Sequence, residues 1–308
     1  MRILVTGGAG FIGSHFVRSH GGDDVTVLDK LTYAGRRANL DGVRHTFVHG
    51  DVCDAGLLAE VVPGHDLVVN FAAESHVDRS IEGAAEFVRT NVMGTQALMQ
   101  ACLDAGVPRV VHVSTDEVYG TIDSGSWDES APLRPRSPYA ASKAGGDLIA
   151  RAYAVTHGLN VSITRCGNNY GPRQYPEKII PLFVTNLLRG RKVPLYGDGL
   201  NVRDWIHAED HCAGIDLVAE KGERGEVYHI AGTAELTNRE LTGRLLEACG
   251  AGWDMVEPVA DRKGHDRRYS LDDTRLRALG YRPRVPFEQG LKETVEWYAA
   301  NRDWWEGA

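Results

Sequence analysis

Tyr139-Ala-Ala-Ser-Lys143 places a phenol and an ammonium four residues apart, on one face of a helix whose start is marked by Pro138. A free phenol, with a pKa near ~10, is a poor base at neutral pH. A neighbouring cation and a helix N-terminus both favour phenolate, so the pair is expected to lower the Tyr139 pKa and let it take an alcohol proton during hydride transfer. For an isolated pair of this spacing the plainer reading is a packed tyrosine beside an incidental surface lysine. A second pair, Asp116 and Glu117, lies in Val113-Ser114-Thr115-Asp116-Glu117-Val118-Tyr119-Gly120. Neighbours on a regular strand face opposite sides, so these acids share a site only if the strand has given way to a turn, which Gly120 permits. Otherwise they belong to a solvated loop, or Glu117 caps a helix.

A third constellation, Gly7-Gly8-Ala9-Gly10-Phe11-Ile12-Gly13, directly follows an apolar strand and opens an apolar helical pattern. Gly7 allows the tight turn, Gly10 lets the backbone approach a pyrophosphate, and Gly13 allows close helix packing, while the helix N-terminus offers partial positive charge. Asp29 ends the second strand, 16 residues after Gly13, where a carboxylate accepts from both adenosine ribose hydroxyls. That position favours NAD, although Lys30, Arg36 and Arg37 nearby leave NADP as a second reading. Asp51, after the third strand, either touches the adenine or merely precedes a helix starting at Asp54.

These residues need a frame. Short β-branched runs at Ile3–Val5, Val25–Leu28, Phe47–Val48, Leu67–Phe71, Val110–Val113 and Val161–Thr164 alternate with helical stretches. Such alternation predicts an α/β fold with a doubly wound parallel sheet of the Rossmann type. Past Asn169 the pattern breaks on Gly171-Pro172, Pro176, Pro181, Pro194 and Gly197-Asp-Gly199, which predicts a smaller, discontinuous α/β substrate domain. The strand-helix stretch Asp204–Glu220 and the strand Val227–Ile230 resemble the first region again. The expected division is 1–171 with 202–236 for the dinucleotide, 172–201 with 237–285 for the substrate, and a C-terminal helix over 286–308 packing on the dinucleotide domain.

The 308 residues suffice for a large core, and 43% hydrophobic with 25% charged residues is ordinary for a globular protein. A formal charge of -8 argues against a nucleic-acid or anionic-membrane surface, while leaving room for local arginines around a phosphate. Cys53, Cys102, Cys166, Cys212 and Cys249 are scattered, with no zinc-like spacing and no disulfide framework. No metal is expected. No apolar run approaches the ~20 residues of a membrane span, and the N-terminus runs straight into the first strand, so a cytoplasmic location is expected.

Taken with Phe71-Ala-Ala-Glu-Ser-His-Val-Asp-Arg-Ser80, Asn168-Asn-Tyr-Gly-Pro172, Asn201-Val-Arg-Asp-Trp205 and Gly264-His-Asp-Arg-Arg268, these motifs give the chain a specific likeness. It resembles the extended short-chain dehydrogenase/reductase family and, within it, the dTDP-glucose 4,6-dehydratases. The resemblance runs through nearly the whole length. It implies that Thr115 bonds the sugar 4-hydroxyl, that Tyr139 is the base in its oxidation, and that Lys143 holds the nicotinamide ribose. It implies NAD contacts from Gly7, Gly10, Phe11, Ile12 and Gly13, from Asp29, Lys30 and Thr32, and from Asp51 and Val52. Further NAD contacts are implied for Ala72, Ala73, Ser75 and Thr90, and for Ser114, Tyr139, Lys143, Cys166 and Asn168. Ser75, Thr115, Asp116 and Glu117 meet the sugar, and Asn169, Lys178, Arg203, Asn238, Arg262 and His265 surround the nucleoside diphosphate. Arginine suits that task because its planar fork matches phosphate oxygens. A homodimer is implied as well. The chain departs from the family pattern at Cys166-Gly167, at Lys263, and at Gly145-Gly146, which is expected to weaken the catalytic helix.

Chemistry orders the steps. The C5 hydrogen of a hexose is unactivated until C4 is a ketone, so oxidation precedes elimination. Glu117 is then the base at C5 and Asp116 the acid at the departing C6 hydroxyl, two jobs that require separated pKa values. Hydride returns to C6, and NAD ends as it began. A nucleotide-sugar C4 epimerase would share the glycine loop and the Tyr/Lys pair but has no use for an elimination pair. A non-catalytic NAD-binding regulator would need none of the four acting residues.

Overall fold

The computed structural model describes residues 1–306. Strands β1 (Arg2–Thr6), β2 (Asp24–Asp29), β3 (Thr46–His49), β4 (Leu67–Asn70), β5 (Arg109–Thr115) and β6 (Val161–Cys166) coincide with the six expected runs. They are followed by β7 (Asn168–Tyr170), β8 (Val193–Tyr196), β9 (Val202–His207), β10 (Val227–Ile230), β11 (Ala234–Thr237) and β12 (Val256–Val259). One seven-stranded sheet has the order β10-β6-β5-β4-β1-β2-β3, and every pairing in it is parallel. Its strands are apolar on both faces because helices cover both. Ile3, Val5, Val27 and Val111 pack into one core, while Leu4, Leu28, Val68 and Val110 pack into the other.

The order reverses at β1, which pairs with β2 on one side and β4 on the other. Such a reversal opens a crevice beyond the carboxyl ends of the strands. The chain leaves this sheet after β6 and returns with β10. Between and after these, β11-β9-β7 and β12-β8 form two small sheets. A third core, with Tyr170, Phe183, Trp205, Leu241 and Phe287, lies beneath them.

Two sequence expectations need correction. The C-terminal segment forms two helices, Phe287–Ala300 and Arg302–Glu306, and does not pack on the dinucleotide side alone. Phe287, Leu291 and Tyr298 join the third core with Ile180 and Phe183, while Trp304 Nε1 donates to Asn39 Oδ1 at 3.1 Å. Residues 307 and 308 of the expected helix lie outside the described residues. The second correction concerns Gly145-Gly146, which do not interrupt the helix Pro138–His157. A Cβ on Gly146 would stand 2.6 Å from Asn91 O, and one on Gly145 would stand 2.9 Å from Val92 Cγ2. These glycines let the helix press against the π-helical segment Arg89–Gly94, a tertiary contact that outweighs helix propensity.

Gly146→Ala should therefore destabilise the protein although alanine favours helix by ~1 kcal/mol, because the clash with Asn91 O costs about 1–3 kcal/mol. A lower urea midpoint with an unchanged slope is the expected result; a raised midpoint would refute the packing account.

Candidate active site

The carboxyl ends of β1, β4, β5 and β6 open on a cleft of about 450 Å³. Every residue expected from the sequence to meet cofactor or sugar lines it, including distant ones such as Thr90, Asn238 and His265. At its floor the glycine loop has the shape its spacing implied. Gly7 has φ +70°, and a Cβ there would stand 2.7 Å from Ala72 N; one on Gly13 would stand 2.4 Å from Gly7 O. Gly10 differs, since a Cβ on it would meet only Gly7 O, at 3.2 Å, with the remaining space belonging to the cleft. The helix Phe11–Ser19 starts there with no side-chain cap and no acid in its first turn. Its first amides and positive dipole end suit a pyrophosphate.

Asp29 lines the cleft and also braces the glycine loop. Its Oδ2 accepts from Ala9 N at 2.9 Å and its Oδ1 from Leu31 N at 2.8 Å, so the carboxylate also shapes the glycine loop. Burial raises its pKa, and those two amides oppose the rise. The cations that left NADP open are engaged elsewhere. Lys30 Nζ pairs with Asp51 at 2.9 Å, Arg36 bonds Trp304 O and stacks on its ring, and Arg37 lies 4.1 Å over Phe47. Asp51 Oδ1 accepts from Cys53 N, whereas Asp54 caps the helix Ala55–Val61. Asp51 thus lines the cleft without being the cap.

The acids occupy a short 3-10 turn, Asp116–Tyr119, that ends β5. Thr115 caps it, accepting from Glu117 N at 3.3 Å, and donates to Asp116 Oδ1 at 3.1 Å. Asp116 Oδ2 is buried with no partner among the described residues. Burial, Glu117 and Asp204 push the Asp116 pKa well above the carboxylate range. Burial also raises Glu117, but Lys178, Arg262 and Arg203 oppose the rise. The two environments therefore push the Asp116 pKa further up than that of Glu117. Asp204, buried behind them, is itself raised to about 7 by burial.

Tyr139 departs from expectation. Its pKa is raised well above the usual phenol value, by burial first and then by Glu117, Cys166 and Asp116. Lys143 does not offset this: its Nζ donates to Val113 O at 2.6 Å, and burial lowers its own pKa. The phenol and ammonium do share a helical face, capped by Ser137 through Ala140 N, but burial, with Glu117, Cys166 and Asp116 beside it, raises the phenol pKa.

Across the cleft, Lys178 Nζ donates to Ser75 O at 2.8 Å, Arg203 donates to Asp266 O at 3.0 Å, and His265 meets Asp261 at 2.6 Å. Asn169 is held by His211 Nδ1 at 2.9 Å and by Gln174. The sequence reading missed the apolar wall of Leu182, Phe183, Pro194 and Leu195, and Tyr269, whose ring lies 4.4 Å from the Arg203 guanidinium. Tyr269 directly follows the Gly264–Arg268 motif, which was the available signal.

A profile of the family described as GDP-mannose 4,6 dehydratase matches residues 4–294. A dTDP-glucose 4,6-dehydratase of Streptomyces niveus is 59% identical, over 99% of this chain and 95% of that protein. One from Streptomyces antibioticus is 60% identical with the same coverage. The solved DesIV dTDP-glucose 4,6-dehydratase of Streptomyces venezuelae, with NAD bound, is 66% identical with a TM-score of 0.98, covering 100% of this chain and 99% of that one. A UDP-glucose 4-epimerase of Thermus thermophilus, also with NAD, has a TM-score of 0.91 at 34% identity, covering 98% and 100%.

Gly10→Ala and Gly13→Ala should separate binding from folding. The first should lower affinity for a nicotinamide dinucleotide about 10-fold or more, worth ~1.4 kcal/mol, with stability changed by less than ~1 kcal/mol. The second should mainly lower the melting temperature. Equal affinity in Gly10→Ala and the unaltered protein, by calorimetric titration, would refute the pyrophosphate site.

Proposed function

The chain belongs to the GDP-mannose 4,6-dehydratase family, and from that footing we propose that it is an NAD-dependent dTDP-glucose 4,6-dehydratase that makes dTDP-4-keto-6-deoxyglucose. The observation that carries the reading is the unequal carboxyl pair, Asp116 and Glu117, in the same cleft as Tyr139, Lys143 and the glycine loop. An epimerase needs the latter groups and leaves the former without work.

When bound, NAD supplies a hydride acceptor and donor and a positively charged ring. Gly10 and the first turn of its helix would hold the pyrophosphate, Asp29 the adenosine ribose and Lys143 the nicotinamide ribose. Thr115 and Tyr139 would hold the sugar 4-hydroxyl, and Tyr139, once its own phenolic proton has left to solvent, takes the hydroxyl proton as C4 becomes a ketone. The raised phenol pKa restrains this transfer until positive charge and the alcohol are in place. Glu117 then removes the C5 proton. Asp116, kept protonated, gives its proton to the C6 hydroxyl, which leaves as water. Hydride would return to C6 and the proton held by Glu117 to C5, while the 4-hydroxyl proton left on Tyr139 replaces, through solvent, the one Asp116 gave to water, so that the groups end as they began. Lys178, Arg203, Arg262 and His265 hold the diphosphate, and binding there orients the small reacting centre.

The division into dinucleotide-binding segments 1–171 and 202–236 and nucleotide-sugar segments 172–201 and 237–285 is consistent with β10 rejoining the main sheet. A homodimer is supported by Leu148 and Val155, 58% and 77% exposed and seven residues apart on one helix, with Met93 exposed nearby. A one-chain mass by light scattering would exclude it. The five cysteines are free thiols, which suits the cytoplasm, and among the described residues no helix is long and apolar enough to cross a membrane.

With dTDP-glucose deuterated at C4, the label should appear at C6 of the product and solvent hydrogen at C5. Label retained at C4, or released on free cofactor, would overturn the assignment. Glu117→Gln should still oxidise C4 but lose water ~100-fold or more slowly, accumulating the reduced nicotinamide on mixing. The rate of water loss should fall at low pH as Glu117 gains a proton and at high pH as Asp116 loses one. In Asp116→Asn the high-pH fall should vanish with a low residual rate; an unchanged bell would remove Asp116 from the acid role.

A further inference from the structure

A row of polar side chains crosses the main sheet beneath the site, and the mechanism uses none of them. Thr6 Oγ1 donates to Asn70 Oδ1 at 2.6 Å, Asn70 Nδ2 donates to His112 Nδ1 at 3.1 Å, and His112 Nε2 faces Asp147 Oδ1 at 3.5 Å. Beyond Asp147 the contacts tighten. Arg165 Nε donates to Asp147 Oδ2 at 2.8 Å, and its Nη1 donates to the Tyr119 phenol oxygen. Tyr119 donates to His229 Nε2 at 2.6 Å, and His229 Nδ1 donates to Asp272 O at 3.0 Å. These partners assign the His229 tautomer.

The two ends of the tight portion lie on the two catalytic elements. Asp147 follows Lys143 by four residues and Tyr139 by eight, on the same face of the helix Pro138–His157. Tyr119 closes the 3-10 turn that opens with Asp116 and Glu117. Arg165, on β6, is in register with Ser114 of β5, and is 5% exposed. We propose that Arg165 is a positioning residue that clamps the helix bearing Tyr139 and Lys143 to the turn bearing Asp116 and Glu117, and thereby sets the spacing between oxidation and elimination.

The chemistry of the pair supports this. A buried ion pair gains little stability over apolar packing, so its contribution is geometric. A guanidinium is a rigid fork, able to fix two partners in two set directions at once, which an ammonium on a flexible stem does not do. Asp147 is doubly suited, because Arg165 and His112 hold its carboxyl below the usual range against the pull of burial. The ionised form of the carboxyl behind Lys143 is thereby favoured.

The inference rests on the two-stage reaction proposed above, and one experiment separates them. Tyr119→Phe keeps the ring in its core and removes only the hydroxyl that Arg165 and His229 share. Arg165→Lys keeps the charge beside Asp147 and removes the fork. In single turnovers with C4-deuterated dTDP-glucose, both variants should form reduced nicotinamide within about 2-fold of the wild-type rate. Formation of the 6-deoxy product should slow about 10-fold, so that reduced nicotinamide accumulates. A purely structural role would lower the melting temperature and leave the ratio of the two rates unmoved, and that result overturns the clamp. Wild-type enzyme that returns no label to C6 sinks the clamp and the dehydratase reading together; a wild-type label at C6 with an unmoved ratio in both variants sinks the clamp alone.

Discussion

Two carboxyl groups adjacent in sequence are withdrawn from water at the end of β5, and ionising both in that place would be costly. The rest of the cleft answers this cost unequally. Asp116, turned inward with an unpartnered oxygen and Asp204 behind it, has its pKa pushed further up. Glu117 meets the field of Lys178, Arg203 and Arg262, all from segments beyond β6. The cations of the second part of the chain, which suit a diphosphate, thus also bear unequally on the two neighbouring acids.

The same acids constrain the oxidation step. A phenol beside two carboxyls and a buried thiol resists ionisation, and the lysine one turn away is bonded to the Val113 carbonyl. Proton acceptance by Tyr139 is therefore conditional on what occupies the cleft. An enzyme whose oxidation is useful only when elimination follows gains from such restraint, since a free active phenolate would serve no step of the cycle.

The local parts of this design were legible in the chain. Strands with apolar faces, a glycine turn opening a helix, and Pro138 after Ser137 are short-range signals, and the structure has them where expected. What was not legible depends on contacts between segments distant in sequence. The pKa of Tyr139 is governed by burial, by the turn after β5 and by Cys166 of β6, so Lys143, one turn away, misled. Gly145 and Gly146 read as a weak helix because propensity carries no knowledge of the Arg89–Gly94 segment against which they press. Lys30 and Arg36 kept NADP open as a second reading because their partners, Asp51 and Trp304, are not visible in the sequence. The cleft residues Lys178, Asn238 and His265 were found by family likeness, not by spacing.

Asp29 joins two properties that are usually treated as separable. Its carboxylate lines the cleft where an adenosine ribose would lie and also receives the amides of Ala9 and Leu31, so a residue suited to choosing the coenzyme is also a strut of the glycine loop. An exchange of this residue to admit a 2′-phosphate would leave the Ala9 amide without its acceptor and loosen the turn. Coenzyme switching in this scaffold is thus a coupled trait: a lineage moving toward NADP must repair the loop near Ala9 and free Lys30 or Arg36 from its present partner, and single substitutions along that route pass through variants that hold either coenzyme poorly.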